Sequence, residues 1–157
     1  MADSAAGLHP DAQRIAEQVA ERMMMVDRAA RGLGIHVVAI SPGRAVLRMV
    51  IRRHMLNGHG MGHGGMTFSL ADTALAYASN SYNQNTVAHT TQITFLAPSR
   101  EADVLTATAE ETAVVGRSGI YDVRVTNQRG ETIAVFRGMA QTIKGQPVPE
   151  MPVTRPM

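Results

Sequence analysis

Between Leu56 and Asn83 the chain reads LNGHGMGHGGMTFSLADTALAYASNSYN, a polar glycine-heavy loop feeding an apolar run that holds one carboxylate, Asp72. An unpaired carboxylate among apolar groups is costly, and burial raises its pKa and makes it a better base. Such a group can activate water or attack a carbonyl carbon directly as a nucleophile. Gly64 and Gly65 open the same run. A helix N-terminus leaves backbone N–H groups unpaired and carries positive partial charge, and glycine has no Cβ to shield those donors. Donors of this kind stabilise the oxyanion formed when an ester carbonyl is attacked. The combination points to acyl transfer. Each part also has a plainer reading: the glycines as a tight turn, and Asp72 as a hydrogen-bonded structural residue at an interface.

Spacing constrains how the two parts act together. Gly64 and Asp72 are eight residues apart, which is ~12 Å along a helix at ~1.5 Å per residue. One carbonyl cannot touch both. A joint site needs the glycine N–H from one subunit and the carboxylate from another, which a two-fold dimer with adjacent antiparallel helices supplies twice. Asn57 can donate and accept through its amide, orienting water or a carboxylate, or it can simply make a turn. His63 shapes the loop, hydrogen-bonds a neighbour or touches the substrate. His54, His59 and His63 match no standard zinc spacing and have no carboxylate nearby to complete a set, so no metal is expected.

The elements that must position these residues can be read from periodicity. Pro10 and Asp11 suit a helix start, with Ile15, Val19, Met23 and Val26 on one face up to about Arg31, ended by Gly32 and Gly34. Two β-rich runs follow, 35–40 and 44–51, split by Ser41-Pro42-Gly43. In the second, Ala45, Leu47, Met49 and Ile51 alternate with Val46, Arg48, Val50 and Arg52, giving one buried and one mixed face. A helix over 65–81 is apolar nearly all round through Phe68, Leu70, Ala71, Ala74, Leu75, Ala76 and Tyr77, which suits a helix wrapped by a curved sheet. Strands are expected at 87–96, 104–112, 119–127 and 131–143, and the Met23-Met24-Met25 run reads as core packing at a helix end. The order is α+β. The domain is expected to span 1–143, with 144–157 a proline-rich, disordered tail.

Composition removes several classes of function. At 157 residues the chain suits one domain. The absence of cysteine excludes disulfides, thiolate catalysis and cysteine-ligated zinc. No apolar run approaches the ~20 residues of a membrane span. The N-terminus MADSAAGLHPDAQRIAEQ lacks a basic stretch followed by an apolar one, so no signal peptide is expected and a cytoplasmic location follows by default. The net charge is +2, and Lys144 is the only Lys. The arginines are spread from Arg14 to Arg155 with few aromatics to stack bases, which argues against nucleic-acid binding.

The segments Leu56-Asn57-Gly58-His59, His63-Gly64-Gly65 and Phe68-Ser69-Leu70-Ala71-Asp72-Thr73 resemble the signature of the hotdog-fold acyl-CoA thioesterases, most closely the PaaI type of phenylacetate degradation. The likeness continues through Ala76-Tyr77-Ala78, 93–98, 105–109, 119–123 and 134–138, and spans roughly Ala12 to Ile143. The resemblance implies a long central helix wrapped by a curved, mainly antiparallel sheet, with an N-terminal helix. It implies Asp72 as the catalytic carboxylate, and the Gly64 N–H polarising the thioester carbonyl across a dimer interface. His63 and Asn57 are implied as supporting residues, and Thr73 as a holder of the water or simply a satisfied helix hydroxyl. It also implies a homodimer assembling to a homotetramer, acyl-CoA as substrate, hydroxylated phenylacetyl-CoA esters in this subtype, and no cofactor. Coenzyme A needs cationic partners for its phosphates. Arg100 after Pro98-Ser99, and Arg117-Ser118 near Gly116, are the loop candidates, against the plainer reading of solvated surface arginines. The departures from the family pattern are slight, chiefly Gly60-Met61-Gly62 within the loop, where the extra glycine bears on loop mobility and acyl preference. The competing functions are a non-catalytic acyl-CoA-binding hotdog module, which does not need Asp72, and a hotdog hydratase or dehydratase, which calls for a different His/Asp arrangement on the central helix.

Overall fold

Alternation pins the first hairpin: Ala45, Leu47, Met49 and Ile51 are all at most 1% exposed, so a one-residue slip would turn a core face out to solvent. In the computed structural model, which describes residues 8–156, this hairpin pairs β1 (His36–Ser41) with β2 (Arg44–Val50). The other elements are α1 (Ala12–Val26), α2 (Arg28–Leu33), α3 (Gly64–Asn80), β3 (Thr86–Phe95), β4 (Val104–Val115), β5 (Ser118–Thr126) and β6 (Thr132–Thr142). The six strands form one antiparallel sheet in the order β1-β2-β4-β5-β6-β3. Bulges at Val37/Ala39, Ala88/Thr90 and Glu111/Ala113 bend the strands, as an extra unpaired residue does. The sheet curves around α3, which packs against every strand. This is the hotdog architecture.

The core lies between α3 and the concave face. Leu70, Ala71, Ala74, Leu75 and Ala78 have no exposed surface, and they meet Leu105, Ala107, Tyr121, Val125 and Ala134. Gly138 in β6 lets the helix come this close, because a Cβ there would collide with the Leu75 side chain.

Three expectations differ from the structure. The single N-terminal helix is two, because Asp27 leaves helical geometry and its carboxylate accepts the Ala30 N–H at 3.0 Å, capping α2. Of the three methionines, Met23 and Met24 pack on the core, but Met25 is 69% exposed on the far side of α1. The proline-rich segment, expected as a disordered tail, follows an ordered course. Val148 is buried against Ile15 and Val19 of α1. The fully buried Asn83, in the left-handed region at φ 60°, donates through Nδ2 to the carbonyls of Val148 (2.8 Å), Met151 (3.0 Å) and Pro152 (3.3 Å). Its Oδ1 accepts the Val148 N–H at 2.9 Å. Proline removes donors and fixes φ, so the tail's carbonyls find partners in a side chain rather than in a ladder. Residues 1–7 of the expected domain and residue 157 of the expected tail lie outside the described residues. No helix among the described residues is long and apolar enough to cross a membrane.

Candidate active site

α3 begins at His63, whose backbone is extended and whose Nδ1 accepts the Gly65 N–H at 2.9 Å. A backbone N–H always donates, so the proton of a neutral imidazole sits on Nε2 of this exposed ring. Among the described residues the Gly64 N–H has no acceptor, so the first donor of α3 stays open. A Cβ on Gly64 would stand 2.9 Å from Phe95 Cζ, so only glycine lets that ring pack this closely against the helix end. Both residues line a cleft of about 420 Å³, together with Asn57, Gly62, Thr67 and Ser99, among others.

Asn57 shapes the loop in front of this cleft. Its Oδ1 accepts the N–H groups of His59 (2.9 Å) and Met61 (3.2 Å), which is the turn role, while its carbonyl accepts from Gly60. Only the Nδ2 donor is left for a ligand.

Asp72 lies two turns further along α3. The helix buries one side completely, and Gly65, Ser69, Asp72, Thr73 and Ala76 form a half-open stripe on the other. Burial alone pushes the Asp72 carboxyl above the usual aspartate range, and among the described residues no neighbouring cation or hydrogen bond offsets it. The Thr73 hydroxyl donates to the Ser69 carbonyl at 2.6 Å, leaving its oxygen able only to accept.

The structure thus joins Asn57, His63 and Gly64 at one end of α3 and leaves Asp72 and Thr73 apart from them in the same chain. The arginines divide likewise. Arg100 follows Ser99 on the loop beside the cleft. Arg117 lies in the β4–β5 turn and Ser118 opens β5, pairing with Gln141, itself beside Val87 at the start of β3, under the opposite end of the helix.

Ser99 was missed by sequence reading. It is 2% exposed, its hydroxyl has no hydrogen-bond partner among the described residues, and its carbonyl accepts the Gly62 N–H at 2.8 Å. Its only sequence signal is a hydroxyl after Pro98 at a strand end. The loop is fixed by the buried Asp103, which accepts from the Arg100 N–H (2.9 Å), Gln128 (2.9 Å) and Arg129 (3.1 Å). Burial opposes the charge of Asp103, yet these donors hold its carboxyl below the usual range.

Comparison with known proteins bears on the family and the fold. The Thioesterase superfamily model matches residues 59–134. The chain is 44% identical over 128 residues to the acyl-coenzyme A thioesterase PaaI of Escherichia coli K12, covering 82% of this chain and 91% of that protein. The structure of E. coli PaaI, from the phenylacetic acid degradation operon, superposes with a TM-score of 0.84 at 42% identity, over 85% of this chain and 97% of that one. A hypothetical thioesterase of Streptococcus pneumoniae TIGR4, solved with coenzyme A, superposes with a TM-score of 0.68 at 25% identity, over 71% and 90%. The fold, the extent of these matches and the open helix end together make the conclusion plain: the chain belongs to the thioesterase superfamily, as a hotdog-fold thioester hydrolase of the PaaI type.

Proposed function

We propose that the protein hydrolyses acyl-CoA thioesters, with aryl-acyl esters such as hydroxylated phenylacetyl-CoA as the substrate class, in a site shared between two subunits. The observation that carries this reading is Asp72: a half-buried carboxylate with a raised pKa and, among the described residues, no partner, on the same helix whose first N–H at Gly64 has no acceptor among them either. As general base, Asp72 takes a proton from water as its oxygen bonds the carbonyl carbon. The carbonyl oxygen gathers the negative charge and is held by the Gly64 N–H. Collapse of the adduct breaks the C–S bond, and the coenzyme A thiolate recovers the proton from Asp72. As nucleophile, Asp72 would form a mixed anhydride that water then opens. His63 Nε2–H and Asn57 Nδ2–H are the additional donors at the glycine end, and the Thr73 oxygen can accept from the attacking water.

The ~12 Å between Gly64 and Asp72 requires the two half-sites to come from different copies. Two features support such a dimer. The ten-residue β3 ends the sheet, with one row of N–H and C=O groups unpaired among the described residues. The half-open stripe of α3 offers a second helix a place to lie beside Asp72. A dimer of such dimers is the assembly the family resemblance suggests. Arg100, Arg117 and Ser118 are the groups assigned to the phosphates of coenzyme A, contributed from different subunits of the joined site.

A thiol-release assay across a panel of CoA esters, with wild type and Asp72→Ala, tests this. Wild type turns over aryl-acyl esters, and Asp72→Ala does not. Unchanged turnover in Asp72→Ala removes the catalytic carboxylate, whereas binding without any turnover assigns a non-catalytic acyl-CoA module. Mixing inactive Asp72→Ala with inactive Gly64→Val restores one intact site per hybrid dimer. No recovery after verified subunit exchange refutes the shared site.

A further inference from the structure

The peptide group that joins Ser99 to Arg100 is held at both edges. Its N–H donates to Asp103 Oδ2 at 2.9 Å, and its carbonyl accepts the Gly62 N–H at 2.8 Å. The unit is planar, so fixing the N–H edge also fixes where the carbonyl points. A carboxylate accepting from the N–H polarises the unit and makes its carbonyl a better acceptor. Gly62 stands two residues ahead of Gly64, and the next N–H, of His63, donates to the Met55 carbonyl at 2.8 Å. The start of α3 is therefore tied to Met55 and to Ser99 together. The second tie is a close contact as well as a bond, because a Cβ at Gly62 would collide with the Ser99 hydroxyl.

Asp103 is 3% exposed, and a buried carboxylate needs donors on both oxygens. Its Oδ1 accepts from Gln128 Nε2 at 2.9 Å and from an Arg129 guanidinium N–H at 3.1 Å. Both side chains come from the β5–β6 turn, which Asn127 shapes by accepting the Arg129 N–H (3.0 Å) and the Glu131 N–H (3.1 Å) through Oδ1. The turn ahead of Asp103 is strained. Ala102 lies in the left-handed region at φ 69°, where an L side chain crowds the following carbonyl. Such strain persists only where the surroundings over-determine the backbone. Here the Ala102 N–H donates to the Ile51 carbonyl at 2.8 Å, the Ile51 N–H donates to the Asp103 carbonyl at 2.9 Å, and the Asp103 carboxylate closes the turn on Arg100. We propose that Asp103 is a positioning residue for thioester hydrolysis. Anchored by Gln128 and Arg129, it sets the Ser99–Arg100 peptide and, through Gly62, the place of the Gly64 N–H that meets the carbonyl oxygen. This rests on the role of Gly64 proposed above. An exposed turn on the far side of the sheet's hairpin is thereby linked to the glycine end of α3 by successive hydrogen bonds.

Asp103→Asn keeps an acceptor for the Arg100 N–H but turns an amide donor on Gln128 and Arg129, which also donate. Gln128 cannot reverse its own amide without losing the Val104 N–H, which its Oε1 accepts at 2.9 Å. With phenylacetyl-CoA, kcat falls about tenfold to a hundredfold while KM stays within about threefold, because a displaced oxyanion donor is missed mainly in the transition state. Adding Gln128→Glu restores the pairing in reverse, with a carboxylate at position 128 accepting from the new amide and from Arg129, and kcat recovers most of the loss. Arg129→Ala, at an exposed position, takes one donor from Asp103 and lowers kcat in the same sense by a smaller factor. Asn83→Ala, at the opposite end of α3, destabilises the fold yet keeps wild-type kcat below its unfolding transition. Amide hydrogen exchange at Gly62, followed by NMR, reads the tie without turnover: it quickens about tenfold or more in Asp103→Asn and slows again on adding Gln128→Glu. Wild-type kcat in Asp103→Asn, or a loss that Gln128→Glu does not relieve, overturns the positioning role and leaves the hydrolase reading intact. A wild type that turns over no ester overturns the hydrolase reading. Exchange at Gly62 then decides alone, quickened exchange upholding the hold of Asp103 on the start of α3 and unchanged exchange overturning it.

Discussion

Replacing Asp72 by Asn separates a catalytic carboxylate from a structural one, because the two roles predict changes of opposite sign. The amide keeps the shape of the side chain and removes its charge. Among the described residues Asp72 makes no hydrogen bond or ion pair that the change could break, and burial raises its pKa. The ionised form therefore costs stability at neutral pH. A group whose folded pKa lies above its unfolded value binds its proton more tightly in the folded state, so its charge penalises folding above the folded pKa and ceases to do so below the unfolded value. Solvent on the open side of the stripe screens part of this cost. The gain in Asp72→Asn is then about 1 kcal/mol rather than the several of a fully enclosed charge. For a domain of this size that is a rise in Tm of about 2–4 °C at pH 7, shrinking as the pH falls toward the ordinary aspartate range. Loss of the base lowers kcat by about 10²–10⁴-fold. The assays are thermal unfolding over a pH series and thiol release on the same preparations. A lower Tm together with retained turnover would refute the argument, because it would mean that Asp72 holds the helix in place rather than serving the reaction.

Three further outcomes follow from the geometry. In wild type, kcat/KM falls with acidification through the raised pKa of Asp72, at a pH above that of an ordinary aspartate, and a pH–rate profile flat through the acid range counts against Asp72 as the base. Asn83→Ala strands the Val148 N–H and three tail carbonyls and places a Cβ-bearing residue without a local hydrogen bond at φ 60°, for a loss of about 3 kcal/mol by denaturant unfolding. Asn83→Gly recovers only the backbone part of that loss. Gly138→Ala drives a methyl group into Leu75 and destabilises by about 1–3 kcal/mol, a cost that Leu75→Ala in the same chain should partly offset in a double-mutant cycle.

Much of the scaffold was legible because it rests on local signals. Alternation at Ala45, Leu47, Met49 and Ile51 marks a buried face whatever the sheet order, and the all-round apolar character of α3 marks a helix enclosed by a sheet. The break at Asp27 was not legible, since an aspartate is tolerated inside a helix and caps one only when the chain turns there. The order of the tail was hidden for a related reason. Proline-rich composition reads as disorder, and the buried amide that collects its carbonyls sits at Asn83, 65 residues before Val148.

The division at the active site is sharper. Residue types and spacing alone mark the groups proposed to react, a carboxylate at Asp72 and a bare helix start at Gly64, and the rise of a helix keeps one chain from bringing both to the same carbonyl. Only the tertiary structure decided which of their neighbours share a wall. Ser99 closes the glycine cleft because the Gly62 N–H reaches its carbonyl across a gap of 37 residues, which no periodicity encodes. Likewise α1, α3, β3 and the C-terminal segment meet around one apolar cavity because the sheet curls and Asn83 clamps the chain's end. Local chemistry is written in residue types and spacing, whereas the shape around it arises from contacts between segments distant in sequence.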